Sequence, residues 1–307
     1  MAKSGKLTKK VKALILDQGA DLVGVGSIDR FDNTPEETNP RHYMPTAQAV
    51  ISVGMHVADG VCDVWGDYTQ PGKSVSPYLF YGYGLINMEL GRIVNLVAKR
   101  LEAKGHKALI FPPTWLISFY RFFERSFTTG DIRADFSHRH AAVAAGLGEL
   151  GWHSLCMTPE FGTRVRFNSI ITDAPLTPDP LYQGPKLCQP DECKFKCVEV
   201  CPSEAIPRKG AQACVVGEKT LRYAKIDKIR CLYGIEGLVK GSGGRSDVKI
   251  PEGPGNIEHF LKAREEHNLF DKLMLDNCFG VICGDFCGKC MHQCPAHTYE
   301  RSHAQAH

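Results

Sequence analysis

The cysteines constrain this chain more than any other residue type. There are 13 in 307 residues; only Cys62 and Cys156 precede residue 188, and the other eleven lie between Cys188 and Cys294. Eight of them form two runs, Cys188-x4-Cys193-x3-Cys197-x3-Cys201-Pro202 and Cys283-x3-Cys287-x2-Cys290-x3-Cys294-Pro295. An odd count fits poorly with a closed set of disulfides. Thiols massed in short runs more often hold metal or redox centres, in a reducing compartment. The N-terminus MAKSGKLTKK has no apolar signal core and no twin arginine, and no run approaches the ~18 apolar residues of a membrane span. A cytoplasmic protein without a membrane partner is therefore expected. Lys and Arg total 37 against 34 Asp and Glu, a net charge of +3, so charge alone gives no case for nucleic acid.

The cysteine-poor part has the pattern of an ordinary mixed fold. Leu7, Val11, Leu14 and Ile15 share one face of a helix over 6–19, and residues 22–28, 49–55 and 108–111 are short apolar runs that predict strands. Residues 57–77 predict a loop. Ile86, Leu90, Ile93, Val94, Val97 and Leu101 predict a helix over 85–104, closed by Gly105. A helix over 137–151, capped by Ser137, is followed by a hairpin of SLCM (154–157) and TRVRFNSIIT (163–172). The small residues of that helix allow close backbone approach, to another element or to a flat ligand. Pro175, Pro178 and Pro180 make a connector, which places a boundary near residue 183: a cofactor and substrate domain at 1–183 and a cysteine-rich domain at 184–307. A further helix is expected over 257–274.

Each cysteine run resembles the bacterial ferredoxin pattern, in which three close cysteines and a Cys-Pro share their ligands between two cubanes. That resemblance implies Cys188, Cys193, Cys197 and Cys294 for one 4Fe–4S cluster. It implies Cys201, Cys287 and Cys290 for most of a second, with Cys231 or Cys283 as the fourth ligand. Zinc knuckles are the alternative, but they use paired CxxC units without the trailing Cys-Pro. Cys62, Cys156, Cys214 and Cys278 have no partner spacing and are expected to be small buried thiols.

The segment AAVAAGLGELGWHSLCMTPEFGTRVRFNSIITDAPL (141–176), followed by two ferredoxin-like runs, resembles the cobalamin-dependent reductases, which comprise epoxyqueuosine reductases and reductive dehalogenases. The matching residues are Ala145-Gly146-Leu147-Gly148, Gly151, Gly162, Thr172-Asp173 and Pro175-Leu176. RCLYGIEG (230–237) resembles the epoxyqueuosine reductase segment with Tyr and Glu closely after a cysteine, which favours Cys231 over Cys283. The resemblance implies an α+β fold: a nitroreductase-like α/β domain for base-off cobalamin, then a double 4Fe–4S module. FMN is the alternative cofactor. Gly146, Gly148, Gly151, Gly162, Thr172 and Asp173 would line the cofactor. His138, Arg139 and His140 gather basic groups at a helix start, where the dipole disfavours cations, and suggest an anionic partner or an exposed basic turn.

A proton donor is also implied. Epoxyqueuosine reductases use an aspartate shortly before the glycine-rich helix, where this chain has Asp131 and Asp135. Dehalogenases use a tyrosine beside a basic residue, and Tyr78, Tyr81 and Tyr83 cluster in SPYLFYGYG. Only 13 residues follow Cys294, without the helical-repeat extension that holds tRNA, so nucleic acid is not expected. The resulting expectation is a reductase that cleaves a C–O or C–halogen bond of a small molecule, fed by a low-potential donor such as ferredoxin or flavodoxin. An electron-transfer or corrinoid-handling protein without its own substrate is the second reading, and a flavin-dependent reductase the third.

Overall fold

The computed structural model describes residues 2–34, 39–67, 69–114, 134–267 and 286–296. Helix α1 (Ala2–Asp17) leads into β1 (Leu22–Ser27); a short α2 (Pro40–Tyr43) precedes β2 (Ala49–His56) and α3 (Asp59–Asp63). A π-helix (Tyr78–Leu85) runs directly into α4 (Ile86–Glu102), then β3 (Ala108–Ile110). After α5 (His138–Ala144) come β4 (Glu149–Leu150), β5 (Cys156–Met157) and β6 (Val165–Thr172). The cysteine-rich part has α6 (Lys196–Glu199), a hairpin of β7 (Ala211–Val216) and β8 (Lys219–Ala224), α7 (Lys228–Ile235), α8 (Ile257–His267) and α9 (Lys289–His292).

The sheet has the order β1-β2-β6-β3, and every neighbouring pair is antiparallel. β2 and β6 lie at its centre and are largely buried on both faces; β2 is nearly continuously apolar, whereas β6 carries Arg166, Asn168, Ser169 and Thr172 among its apolar residues. On one face, Val11 and Ile15 of α1 and the Leu90–Leu101 stripe of α4 pack against Val25, Ile51, Val53 and Ile170. On the other, Ala141 to Ala144 of α5 pack against Val50, Phe167 and Ile171, with Val216, Leu221 and Tyr223 of the β7–β8 hairpin. An antiparallel sheet with helices on both faces is an α+β arrangement.

Two expectations around α5 need correction. The helix ends at Ala144 rather than 151, because Gly146 turns left-handed at φ +78° and a Cβ there would stand 2.0 Å from the Pro180 carbonyl oxygen. Ser137 does not cap it; its hydroxyl bonds His140 instead. The expected hairpin is also different. β5 pairs with β4, and β6 pairs with β2 and β3, since an eight-residue strand buried on both faces needs partners on both edges. The small residues of α5 serve the sheet. A Cβ at Gly24 would stand 2.4 Å from the Ala145 carbonyl oxygen, and one at Gly26 2.7 Å from that of Ala144. The loop expected at 57–77 contains α3, and of the helix expected at 257–274 the structure describes Ile257–His267.

The segment 286–296 is pinned to the sheet part. Trp65 Nε1 donates to the Phe286 carbonyl (2.9 Å) and Thr163 Oγ1 to that of Met291 (2.8 Å). Among the described residues no helix is long and apolar enough to cross a membrane.

Packing at the glycines is open to a direct test. A Cβ at Gly148 would meet the Met157 carbonyl oxygen at 1.8 Å, whereas Gly91 in α4 has nothing within 4 Å. Gly148→Ala is expected to lose about 1–3 kcal/mol of stability, and Gly91→Ala to gain about 0.5–1 kcal/mol. Thermal melts of the two variants beside the parent check both signs.

Candidate functional site

Cys188, Cys193, Cys197 and Cys294 share the wall of one cavity of about 280 Å³, with Trp152, His153 and Met157 on its other side. Cys197 lies in the short helix α6, and Cys294 follows α9, so residues 97 positions apart in sequence meet here. The Trp152 amide donates to Cys188 Sγ at 3.1 Å. Burial and then the neighbouring thiols Cys188, Cys294 and Cys193 push Cys197 up to about 12. Burial pushes Cys294 up to about 11. Crowded thiols such as Cys188, Cys197 and Cys294, which burial makes harder to ionise, become stable thiolates beside a positively charged centre.

The second gathering involves Cys201, Cys231, Cys287 and Cys290. Burial, then Cys287, Cys231, Cys201 and Cys197 in that order, raise the Cys290 thiol well above its ordinary value. The contacts agree. A Cβ at Gly234, one turn after Cys231 in α7, would stand 3.6 Å from Cys287 Sγ and 3.6 Å from Ser203 Oγ. That Ser203 hydroxyl lies 3.7 Å from Cys201 Sγ, and the Ala205 amide donates to the same sulfur at 3.2 Å. Cys201 and Cys290 pack with Trp152 and Ala224, against buried Cys197, so one small apolar layer joins the two gatherings. Cys283 and Cys278 lie outside the described residues. Cys62 and Cys156 are buried, and burial raises each thiol.

The start of α5 gathers three basic side chains. Arg139 keeps open surface, and His138 and His140 are half-buried, yet protein crowds all three enough that burial lowers each pKa. His138 accepts from Ser169 Oγ at Nδ1 (3.0 Å) and donates to the Pro112 carbonyl from Nε2 (2.9 Å). His140 contacts Ser137 Oγ (2.6 Å) and the Tyr223 hydroxyl (3.3 Å). Both sit near a pKa of about 4, so they are neutral and their ring nitrogens are engaged. The positive charge of the His-Arg-His sequence is therefore Arg139's alone; its Nη1 donates to Ser154 O and Oγ, both at 2.7 Å.

Of the three tyrosines, Tyr83 is set most like an acid. It is 1 % exposed, its hydroxyl lies 2.5 Å from Thr114 Oγ1, and the Arg166 guanidinium stands 4.0 Å over its ring. Arg166 is held by Asn87 Oδ1 (3.0 Å) and reaches the Tyr78 hydroxyl (3.5 Å). All three aromatic residues stand on the π-helix, a form that often marks functional sites. Tyr81 instead points outward, 57 % exposed and edge-on to Phe80. Asp135 accepts from the Tyr43 hydroxyl through its backbone oxygen, and Asp131 lies outside the described residues.

The other expected cofactor residues are occupied by protein. Gly146 and Gly148 abut the carbonyls of Pro180 and Met157, and Gly151 the His153 ring. Gly162 closes a turn with Thr158 at φ +54°. Thr172 Oγ1 donates to the Lys107 carbonyl (2.7 Å) and Asp173 accepts from the Lys107 amide (2.8 Å), tying β6 to β3. Arg166, Arg164 and Glu149 were not singled out from sequence. The two arginines of the strand-forming stretch TRVRFNSIIT carried a signal, since buried cations need a specific reason.

No family model matches the chain. Tetrachloroethene reductive dehalogenase from Sulfurospirillum multivorans is 46 % identical over 67 residues, 21 % of this chain and 13 % of that protein. Epoxyqueuosine reductase from Bacillus cereus is 32 % identical over 78 residues, 25 % of this chain and 19 % of that protein. Among solved structures, a catabolic reductive dehalogenase in complex with 3-bromo-4-hydroxybenzoic acid overlaps 90 % of this chain and 36 % of its own at a TM-score of 0.54 and 17 % identity. Epoxyqueuosine reductase from Streptococcus thermophilus overlaps 95 % of this chain and 66 % of its own, with a TM-score of 0.51 and 15 % identity. The chain thus spans about a third of the dehalogenase and a small part of the curated relatives it matches. In fold over about nine-tenths of its length, and in sequence over about a quarter, the chain is similar to reductive dehalogenases and epoxyqueuosine reductases.

Proposed function

We propose that this chain is an iron–sulfur and cobalamin-dependent oxidoreductase that cleaves a C–halogen or C–O bond of a small molecule. The observation that carries the reading is the convergence of two thiol sets on the pattern of a two-cubane module. Cys188, Cys193, Cys197 and Cys294 would hold one 4Fe–4S cluster. Cys201, Cys231, Cys287 and Cys290 would hold the other; the placement of α7 beside Cys287 supports Cys231 as its fourth ligand. The trailing Cys-Pro of each run, absent from the paired CxxC units of zinc knuckles, favours clusters over zinc.

An organic cofactor would be held near the start of α5, where Arg139 would supply a cation and the neutral His138 and His140 are already engaged by Ser169, Pro112, Ser137 and Tyr223. When bound, cobalamin supplies low-valent cobalt for bond cleavage and the clusters supply electrons one at a time. The protein's own part is to exclude water and deliver a proton. Tyr83 is the proposed donor, and Arg166 over its ring stabilises the phenolate left behind. A soluble one-electron donor of the ferredoxin or flavodoxin kind would supply the first site from outside.

Tyr83→Phe and Arg166→Gln are each expected to lower turnover of halophenols or epoxides by roughly 10²–10⁴-fold, the usual weight of a positioned acid, with iron and cobalamin content unchanged. Equal turnover in parent and variants would overturn the assignment of the acid. A protein that loads clusters and cobalamin yet turns over neither substrate class would favour the corrinoid-handling reading.

The neutral histidines predict a pH response. His138 and His140 titrate near 4 when folded and near 6.5 when unfolded, so below 6.5 the unfolded chain takes up more protons. Stability is therefore expected to fall as pH drops from 6.5 towards 4. Melting temperatures measured across that window should show a shallower slope in His138→Gln.

A further inference from the structure

The turn between β4 and β5 brings two consecutive residues to the first thiol set. Glu149 Oε1 accepts from the amides of Leu187 (2.7 Å) and Cys188 (3.0 Å), which holds the start of the cysteine run against β4. The Trp152 amide donates to Cys188 Sγ at 3.1 Å. His153, the next residue, lines the cavity shared by Cys188, Cys193, Cys197 and Cys294, and is only 3 % exposed. Its ring is fixed. The Leu155 amide donates to Nδ1 (3.1 Å), and the turn is closed by the Gly151 amide on the Leu155 carbonyl (2.9 Å) and the Ser154 amide on the Gly151 carbonyl (2.8 Å). Gly151 leaves the room this ring needs, since a Cβ there would stand 2.5 Å from His153 Cε1 and 2.9 Å from Nε2.

An Nδ1 that accepts a hydrogen bond carries no proton, so the N–H of the His153 ring is on Nε2. That N–H is buried and meets no hydrogen-bond acceptor among the described residues. A buried donor left without an acceptor is costly, and native proteins seldom keep one without a reason. The cavity it borders is walled by four cysteines, and the sulfurs of a cubane accept hydrogen bonds. We infer that His153 Nε2 donates a hydrogen bond to a sulfur of the cluster held by Cys188, Cys193, Cys197 and Cys294, and so raises the midpoint potential of that cluster. The inference rests on the cluster reading proposed above. Reduction places one more negative charge on the cluster, and its sulfurs then attract an N–H dipole more strongly. The bond is therefore stronger in the reduced state, which makes the cluster easier to reduce. The Trp152 amide is the companion donor, on a cysteine sulfur. His153 ligates no iron and moves no proton, because Nε2 keeps its hydrogen in both states.

The test uses full-length protein containing histidine labelled with heavy nitrogen in its ring, reconstituted anaerobically with iron and sulfide but without cobalamin, and titrated with titanium(III) citrate under EPR. Iron content comes first: about eight irons per chain supports the cluster reading, and about four or none fails that reading itself, whatever His153 does. In fully loaded protein, the signal whose shape changes in Cys193→Ser belongs to the first set. That signal should carry a weak coupling to the labelled nitrogen in pulsed EPR, and His153→Asn should abolish it. His153→Asn keeps an acceptor near Nδ1 for the Leu155 amide and has nothing at the Nε2 position. It should lower the first midpoint by about 59 mV, a tenfold change in the reduction equilibrium for one electron, and leave the second in place. His153→Gln, which can set an N–H near the Nε2 position, should restore most of the loss. A purely structural role of the ring predicts the reverse order, with His153→Asn nearer the parent. A coupling that survives in His153→Asn belongs to His292, between Cys290 and Cys294, and overturns the inference, as does an unchanged first midpoint. If His153→Asn does not fold, the parent still decides: a first-set signal without the coupling overturns the inference.

Discussion

Thiols meant for a cluster repel one another once ionised, so they cannot draw the chain together unaided. The fold must bring Cys290 and Cys294 to the first run by other means, and the centre of that contact is Arg164. Its side chain is 3 % exposed, with Nη1 on Asp59 (2.8 Å) and Nη2 on Asp63 (2.7 Å). Nη2 also reaches the His292 carbonyl between the two cysteines (3.4 Å). A buried guanidinium is costly unless several acceptors satisfy it, and with them in place it tolerates little displacement. Thr163 and Trp65 hold the same segment on either side, and the His292 ring stacks on Trp65 (5.2 Å) and lies edge-on to Tyr78 (4.6 Å). The last turn of the cysteine segment is thereby built onto the same elements that position Tyr78, Arg166 and Tyr83.

This arrangement gives the two parts of the chain a shared interior. β6 contributes Arg166 to the α4 side of the sheet and Ser169 to the α5 side, while Thr163 and Arg164 just before it grip the cysteine segment. One strand with its lead-in therefore connects the proposed proton donor, the start of α5 and the proposed cluster ligands. The β7–β8 hairpin adds a second tie, since Tyr223 meets α5 and Ala224 meets the thiol layer. Short paths between electron source and reacting centre are what such a relay needs.

Much of this was legible in the sequence, and the parts that were not have physical reasons. The helix stripe of α4 and the strands β1, β2 and β6 are strongly periodic or continuously apolar, so their existence followed from pattern. The two cysteine runs suggested two thiol sets through their resemblance to the ferredoxin pattern. The extent of α5 and the pairing of β5 were misjudged, because both are decided by glycines whose missing side chains make room for the carbonyls of Pro180 and Met157, distant or out-of-line partners that no local pattern reveals. The same contacts explain why the small residues of α5 read as a cofactor platform although the sheet fills that face. His138 and His140 looked cationic as letters and are neutral in place, since desolvation by the surrounding fold has no sequence signature. Arg166 became a candidate only when its guanidinium was found over Tyr83.

The central claim is that one chain carries two iron–sulfur cubanes and a corrinoid in a single folded unit. Native mass spectrometry of anaerobically reconstituted protein weighs that claim directly. The account predicts a folded species heavier than the bare chain by two Fe4S4 units and one cobalamin. A species carrying zinc, a single cubane, or two cubanes that refuse cobalamin at stoichiometric loading would contradict it.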